Sequence, residues 1–131
     1  MYDVNWPQTN EPLKVVQFNI GGILTMRFGA LYDLHRNILA KYLDSCGIQY
    51  ETIEDPITHA IRAVSKGERY EAVGMGRARV DIDQKKIDFH DMSGDYMMGI
   101  NVDHLRQMKE SAGGREFFTW TGRDGDKPLP V

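Results

Sequence analysis

Arg77-Ala78-Arg79-Val80-Asp81-Ile82-Asp83-Gln84-Lys85-Lys86-Ile87-Asp88-Phe89-His90-Asp91 alternates polar and apolar residues on both sides of a charged turn. Side chains two apart on a strand share a face, so this alternation reads as a β-hairpin. One face carries Val80, Ile82, Ile87 and Phe89, and the other carries Arg77, Arg79, Asp81, Asp83, Asp88 and His90. The apolar face must lie against a core. The polar face then meets water, a ligand or another subunit. It is also where cations, carboxylates and an imidazole crowd onto one expected rigid element.

Working outward, Leu13 to Phe28 reads as strand, Gly21-Gly22, strand. A two-residue loop pairs Ile20 with Ile23, Phe18 with Thr25 and Val16 with Arg27, mixing polar and apolar residues on one face. A three-residue loop with a glycine bulge pairs Ile20 with Leu24, Phe18 with Met26 and Val16 with Phe28. That register makes one face wholly apolar and is the expected one. Ala30 to Cys46 reads as a helix, with Leu31, Leu34, Ile38 and Tyr42 in one stripe and Gly47 as its stop. Ile48 to Glu54 alternates as a strand. Asp55-Pro56 reads as the start of a second helix, which buries Ile57, Ala60, Ile61 and Val64 and ends at Gly67. Strands follow from Arg69 to about Ile100. Asn101 then caps a third helix ending at Gly113-Gly114, and Arg115 to Thr121 reads as the last strand.

The expected order is β-β-α-β-α-β-β-β-α-β: an α+β domain whose mostly antiparallel sheet has three helices packed on one face. Residues 1–12 read as an extended N-terminal arm, 13–121 as a single domain, and 122–131, with Pro128 and Pro130, as a flexible C-terminal tail.

The 131 residues suit one domain, and 41% hydrophobic with 27% charged residues is the composition of a globular one. A net charge of -3 and the lack of any Lys/Arg run argue against nucleic-acid binding, which phosphate neutralisation drives. Cys46 is the single cysteine, so no disulfide within the chain is expected. The opening residues lack the basic and apolar regions of a signal peptide, and no apolar run approaches the ~20 residues that cross a bilayer. The chain reads as soluble and cytoplasmic, with no membrane partner.

Asp88, His90 and Asp91 offer the carboxylate and imidazole groups that bind Zn²⁺, Mn²⁺ or Fe²⁺, with Asp95 and His104 further along, but no recognised metal spacing is present. His90 with Asp88 or Asp95 is a candidate acid–base pair, because histidine titrates near neutral pH and a carboxylate can orient it. A histidine on a wet sheet face is the plainer reading. The three serines sit in no nucleophile-elbow pattern. Arg77 and Arg79 point the same way and can grip a phosphate or carboxylate, with Tyr96 and His104 as further ligand-binding candidates. Their competing use is pairing with Asp81, Asp83 and Asp88 across the hairpin.

Met97-Met98 and Phe117-Phe118 break alternation and put apolar side chains on both faces of the late strands. Together with Trp6 on the arm, Met97, Met98, Phe118 and Trp120 are the expected interface with a second copy or another subunit. His35 and His59 read as boundary residues on helices.

The expectation is an oligomeric, non-catalytic binding or accessory protein. It uses an exposed sheet face and its N-terminal arm to bind a protein partner or an anionic small molecule. The alternative is a small intracellular enzyme using His90 with Asp88, Asp91 or Asp95 for acid–base or metal-assisted chemistry. No cofactor is specified by these residues.

Overall fold

Val15, Val16, Gln17 and Phe18 are consecutive and all fully buried, so the strand that carries them is covered on both faces. The computed structural model describes residues 1–59, 61–64, 69–112, 116–124 and 127–131. The order is β1 (Tyr2–Val4), β2 (Leu13–Ile20), β3 (Ile23–Ala30), α1 (His35–Ser45), β4 (Thr52–Glu54), β5 (Ile61–Val64), β6 (Tyr70–Asp81), β7 (Lys86–His90), β8 (Met92–Ser93), β9 (Met98–Gly99), α2 (Val102–Ala112), β10 (Thr119–Asp124) and β11 (Lys127–Pro130). A seven-stranded sheet runs β1-β3-β2-β6-β7-β10-β11, with β4–β5 and β8–β9 as separate two-stranded pieces.

This corrects the expected architecture in two respects. The sheet is mixed, because β1 pairs parallel with β3, and β10 pairs parallel with β7. Two helices, not three, form among the described residues, and they take opposite faces. Ile38, Leu39 and Leu43 of α1 pack with Val16, Phe18 and Met75. Leu105 and Met108 of α2 pack with Val15, Met26, Phe89 and Trp120.

The β2–β3 register also departs from expectation. Ile20 pairs with Ile23 across a two-residue loop, so Phe18 faces Thr25 and Val16 faces Arg27. Gly21 and Gly22 have φ of 54° and 81°, the two positive values this tight turn demands. The polar residues on that face are absorbed. Arg27 meets Asp3 Oδ1 at 2.7 Å and lies 4.2 Å over the Tyr42 ring, while Thr25 is fully buried. A wholly apolar face was therefore not needed to set the register.

The expected second helix stops after one turn. Asp55 Oδ1 does accept from the N–H groups of Ile57 and Thr58, at 2.8 and 3.0 Å, so the cap forms. His59 then adopts φ 59°, and β5 pairs antiparallel with β4. Ile57 is 87% exposed, so the first residue of the supposed buried stripe has nothing to pack on. Gly67, and Gly113-Gly114 after the last helix, lie outside the described residues. α1 begins at His35, not at Ala30 as read from the sequence.

The arm and the tail both contain strands. β1 joins the sheet, Asn5 exchanges hydrogen bonds of 3.0 and 2.8 Å with Phe28 O and N, and Trp6 packs 5.6 Å from Trp120 and 5.8 Å from Phe117. β11 pairs antiparallel with β10.

Trp120 is 2% exposed and Phe118 is 67% exposed, although both were read as interface residues. Trp120→Ala is expected to lower unfolding free energy by about 3–5 kcal/mol, whereas Phe118→Ala should change it by less than about 0.5 kcal/mol. Urea denaturation of the two variants checks this. Equal losses would contradict the burial described.

Candidate functional site

Strand register builds a row of side chains across the sheet. Lys14 on β2 pairs with Arg77 on β6, and Arg77 pairs with His90 on β7. Gly122 pairs with Phe89, which sets Arg123 of β10 beside His90. Lys14, Arg77, His90 and Arg123 therefore line up at right angles to four strands, over about 14 Å at the usual strand spacing. They share the sheet face on which α1 packs.

The start of α1 stands over the Lys14 end of this row and closes a cleft of about 270 Å³. Lys14, His35, Arg36 and Arg77 form its cationic side, Leu34, Met92 and Tyr96 its less polar rim, and Ser93, Gly94 and Asp95 its outer wall. The outer wall belongs to the β8–β9 hairpin, which follows Asp91 at φ 68°. Leu34 occupies the N-cap position of α1 and gives no side-chain acceptor, and the first turn holds no acidic residue. The first amides of the helix therefore lack the usual cap and present partial positive charge.

His35 is buried, and its Nε2–H donates to Gly76 O at 2.8 Å. Nδ1 is then the unprotonated ring nitrogen. Burial pushes the His35 pKa down, and the Lys14 and Arg77 cations add to this against the opposing pull of the Gly76 carbonyl and Asp91.

Of the residues singled out in the sequence, Arg77, Asp95 and Tyr96 come together in this cleft. Arg77 Nε lies 3.3 Å from Asp91 Oδ2. Arg79, Asp88 and His90 lie on the adjoining open part of the same face. Arg79 and Asp88 are register partners, but no ion pair forms between them. Asp88 instead accepts from Thr121 Oγ1 at 2.6 Å and faces Arg123 at 3.5 Å. His90 Nε2 is shielded and has no hydrogen-bond partner. Burial first, then Arg79 and Arg123, lower its pKa, and Asp88 and Asp91 oppose them.

His104 belongs to the other face of the sheet. Its Nε2–H donates to Phe18 O and its Nδ1 accepts from Gln17 Nε2, both at 3.3 Å. It is a structural residue of the α2 dock, with a pKa lowered by burial.

Among the described residues, no group of three His, Cys, Asp or Glu side chains is placed to hold a metal ion. Asp91, one of the three metal candidates, accepts from the Met92 amide through Oδ1 at 2.8 Å and meets Arg77 through Oδ2. The interface candidates divide. Trp120 is buried, Trp6 is half-buried against it and Met98 is half-buried, whereas Met97 is 79% exposed.

Lys14, His35 and Arg36 were not singled out as ligand residues. Lys14 gave one signal, a cation interrupting an apolar strand. His35 gave none, since its place depends on where α1 starts and on β6 passing beneath it. No protein-family model matches this chain, and no curated protein matches it in sequence.

The cleft can hold an oxyanion by hydrogen bonds and charge. The same histidines make stability depend on pH. His35, His90 and His104 bind protons less readily in the folded chain than in the unfolded one, where histidine titrates near 6.5. The unfolded chain therefore takes up protons first as pH falls, and stability drops, by up to about 1.4 kcal/mol per pH unit for each buried histidine. Urea midpoints should be level above about pH 7.5 and fall between about pH 6.5 and 5. A midpoint that rises on acidification would contradict the assignment.

Proposed function

We propose that the protein is a non-catalytic module that binds an anionic small molecule between the start of α1 and the β8–β9 hairpin. The observation that carries this reading is the convergence of Lys14, His35, Arg36 and Arg77 on one cleft in a chain of net charge -3. Arg77 already pairs with Asp91 at 3.3 Å, and an anion in the cleft would join that pair beside the Lys14 ammonium. The start of α1, which carries no side-chain cap and no acidic residue in its first turn, adds the positive end of the helix dipole. At about 270 Å³ the cleft is smaller than pockets for drug-sized ligands. It suits a phosphate or carboxylate head with a short apolar group against Leu34 and Met92.

The acid–base alternative has less support. Two of its three carboxylates, Asp88 and Asp91, are already engaged by Thr121, Arg123 and Arg77. His90 Nε2 keeps its lone pair but is shielded, and no carboxylate orients the ring by a hydrogen bond among the described residues.

Thermal melting with inorganic phosphate, sulfate and acetate tests the proposal. A ligand at 100 times its Kd adds about 2.7 kcal/mol of stability. The expected outcome is an upward melting shift with at least one anion, lost in Arg77→Ala and kept in Arg79→Ala. Shifts that are absent, or equal in the two variants, would remove the cleft as the site.

A further inference from the structure

Asp33, Asn37, Lys41 and Ser45 stand four residues apart, a spacing that stacks side chains along one side of a helix. They form one wall of a second cleft, of about 540 Å³, on the β3 side of α1. Arg27 and Gly29 of β3 line its opposite side, and it shares no residue with the anion cleft. Its volume lies in the range of pockets that enclose whole small molecules.

The charges here divide into a satisfied set and an unsatisfied one. Arg27 meets Asp3 Oδ1 at 2.7 Å and lies 4.2 Å over the Tyr42 ring, while the Tyr42 hydroxyl donates to Asp3. Asp33, Asn37 and Lys41 make no side-chain hydrogen bond or ion pair among the described residues. Asp33 directly precedes the N-cap residue Leu34, yet its carboxylate does not cap the helix. It lies over Gly29 instead, where a Cβ would fall 3.5 Å from Oδ2. The missing side chain of Gly29 also admits Ile38, whose Cδ1 would be 2.6 Å from that Cβ, so the middle of the cleft is apolar.

We propose that this cleft binds a short peptide of two or three residues with both termini free. Its α-ammonium meets Asp33, a backbone amide meets Asn37, its carboxylate meets Lys41, and an apolar side chain rests on Ile38. The match is one of order and length. From Asp33 to Lys41 the wall offers an anion, an amide that both donates and accepts, and a cation. A zwitterionic peptide presents the complementary groups in the same sequence. Asn37 and Lys41 are about 6 Å apart along the axis at 1.5 Å per residue, and Asp33 lies four residues further back. An extended peptide of two or three residues spans about 7–11 Å. The lysine side chain, which leans toward the start of its helix, covers the remainder. A free amino acid holds its charges too close together to meet both ends, and an ω-amino acid lacks the central amide. The inference goes beyond the anion-binding reading and does not rest on it, because the two clefts are separate.

Calorimetric titration with tri-alanine tests the proposal. Blocking one terminus, as in N-acetyl-tri-alanine or tri-alanine amide, should weaken binding about threefold to tenfold, since each loses one charged pair. Asp33→Asn should weaken tri-alanine by a similar factor and change the acetylated peptide far less. Lys41→Met should do the same with the amidated peptide. Asp33 is half-buried and Lys41 exposed, so both variants should keep the urea midpoint of the unmodified protein. Arg77→Ala, which alters only the other cleft, should bind tri-alanine unchanged, so this site and the anion site succeed or fail separately. The proposal is overturned if tri-alanine does not bind at millimolar concentration, or binds equally well with either terminus blocked. Binding unaffected by both Asp33→Asn and Lys41→Met, or tighter binding of alanine or aminohexanoate than of tri-alanine, overturns it as well.

Discussion

A strand buried on both faces can hold polar atoms only if each finds a partner, and Gln17 is the polar residue in the fully buried run of β2. Its amide oxygen accepts from Asn101 N at 2.8 Å, while its nitrogen donates to Asn101 O at 2.9 Å and to His104 Nδ1 at 3.3 Å. Asn101 in turn caps α2 through His104 N and reaches Val73 O on β6. One buried amide thus fixes the start of α2 against β2 and β6. Gly74 makes room for it, since a Cβ there would fall 2.2 Å from Gln17 Oε1. With α2 seated on that face, α1 covers Val16 and Phe18 on the other, and its N-terminus comes to rest over Lys14 and Arg77.

Much of the hairpin that opens the sequence reading was legible. Val80 faces Ile87, Arg79 faces Asp88, and Val80, Ile87 and Phe89 enter the core, because a strand with one wet face shows its alternation openly. The same reasoning failed at β2–β3 because that pair has no wet face. Where both faces are covered, alternation carries no register information, and the glycine pair decides through its backbone angles. At Asp55 the local cap signal was correct and the helix still ended, since propagation needs an apolar stripe with a surface to meet. Parallel pairing of β10 with β7 was not legible, because it depends on α2 carrying the chain across the sheet.

The candidate site was legible by halves for a related reason. Arg77 and Tyr96 could be named from a charged strand and an aromatic loop. Their companions Lys14, His35 and Arg36 come from segments far away in sequence. His35 in particular reads as an ordinary helix residue, and its importance comes from the carbonyl of Gly76 beneath it. His104 was grouped with His90 by sequence proximity, yet the sheet lies between them. A strand face is a strict divider, and fourteen residues with one helix boundary among them suffice to cross it.

The two sheet edges bear on how this chain meets other molecules. Val131 N donates to Trp120 O at 3.0 Å, so in β11 the amide positions of residues 129 and 131 face inward and those of Pro128 and Pro130 face outward. Proline has no N–H to offer a further strand, and the edge is blunted by the very residues that suggested a loose tail. At the other edge β1 is three residues long, and Asn5 occupies the N–H and C=O of Phe28 as a strand neighbour would. Asp3 holds that edge in place. Burial opposes ionisation of its carboxyl, but hydrogen bonds from Tyr42 and Arg27 outweigh it and keep the pKa low. With Trp120 buried and Trp6 half-buried against it, the exposed large apolar residues are Met1, Leu31, Tyr32, Leu34, Ile53, Ile57, Met92, Met97 and Phe118. At the surface the same fold gathers Lys14, His35, Arg36 and Arg77 round one cleft with Asp95 in its wall, and carries Arg79, Asp88 and His90 on the adjoining face.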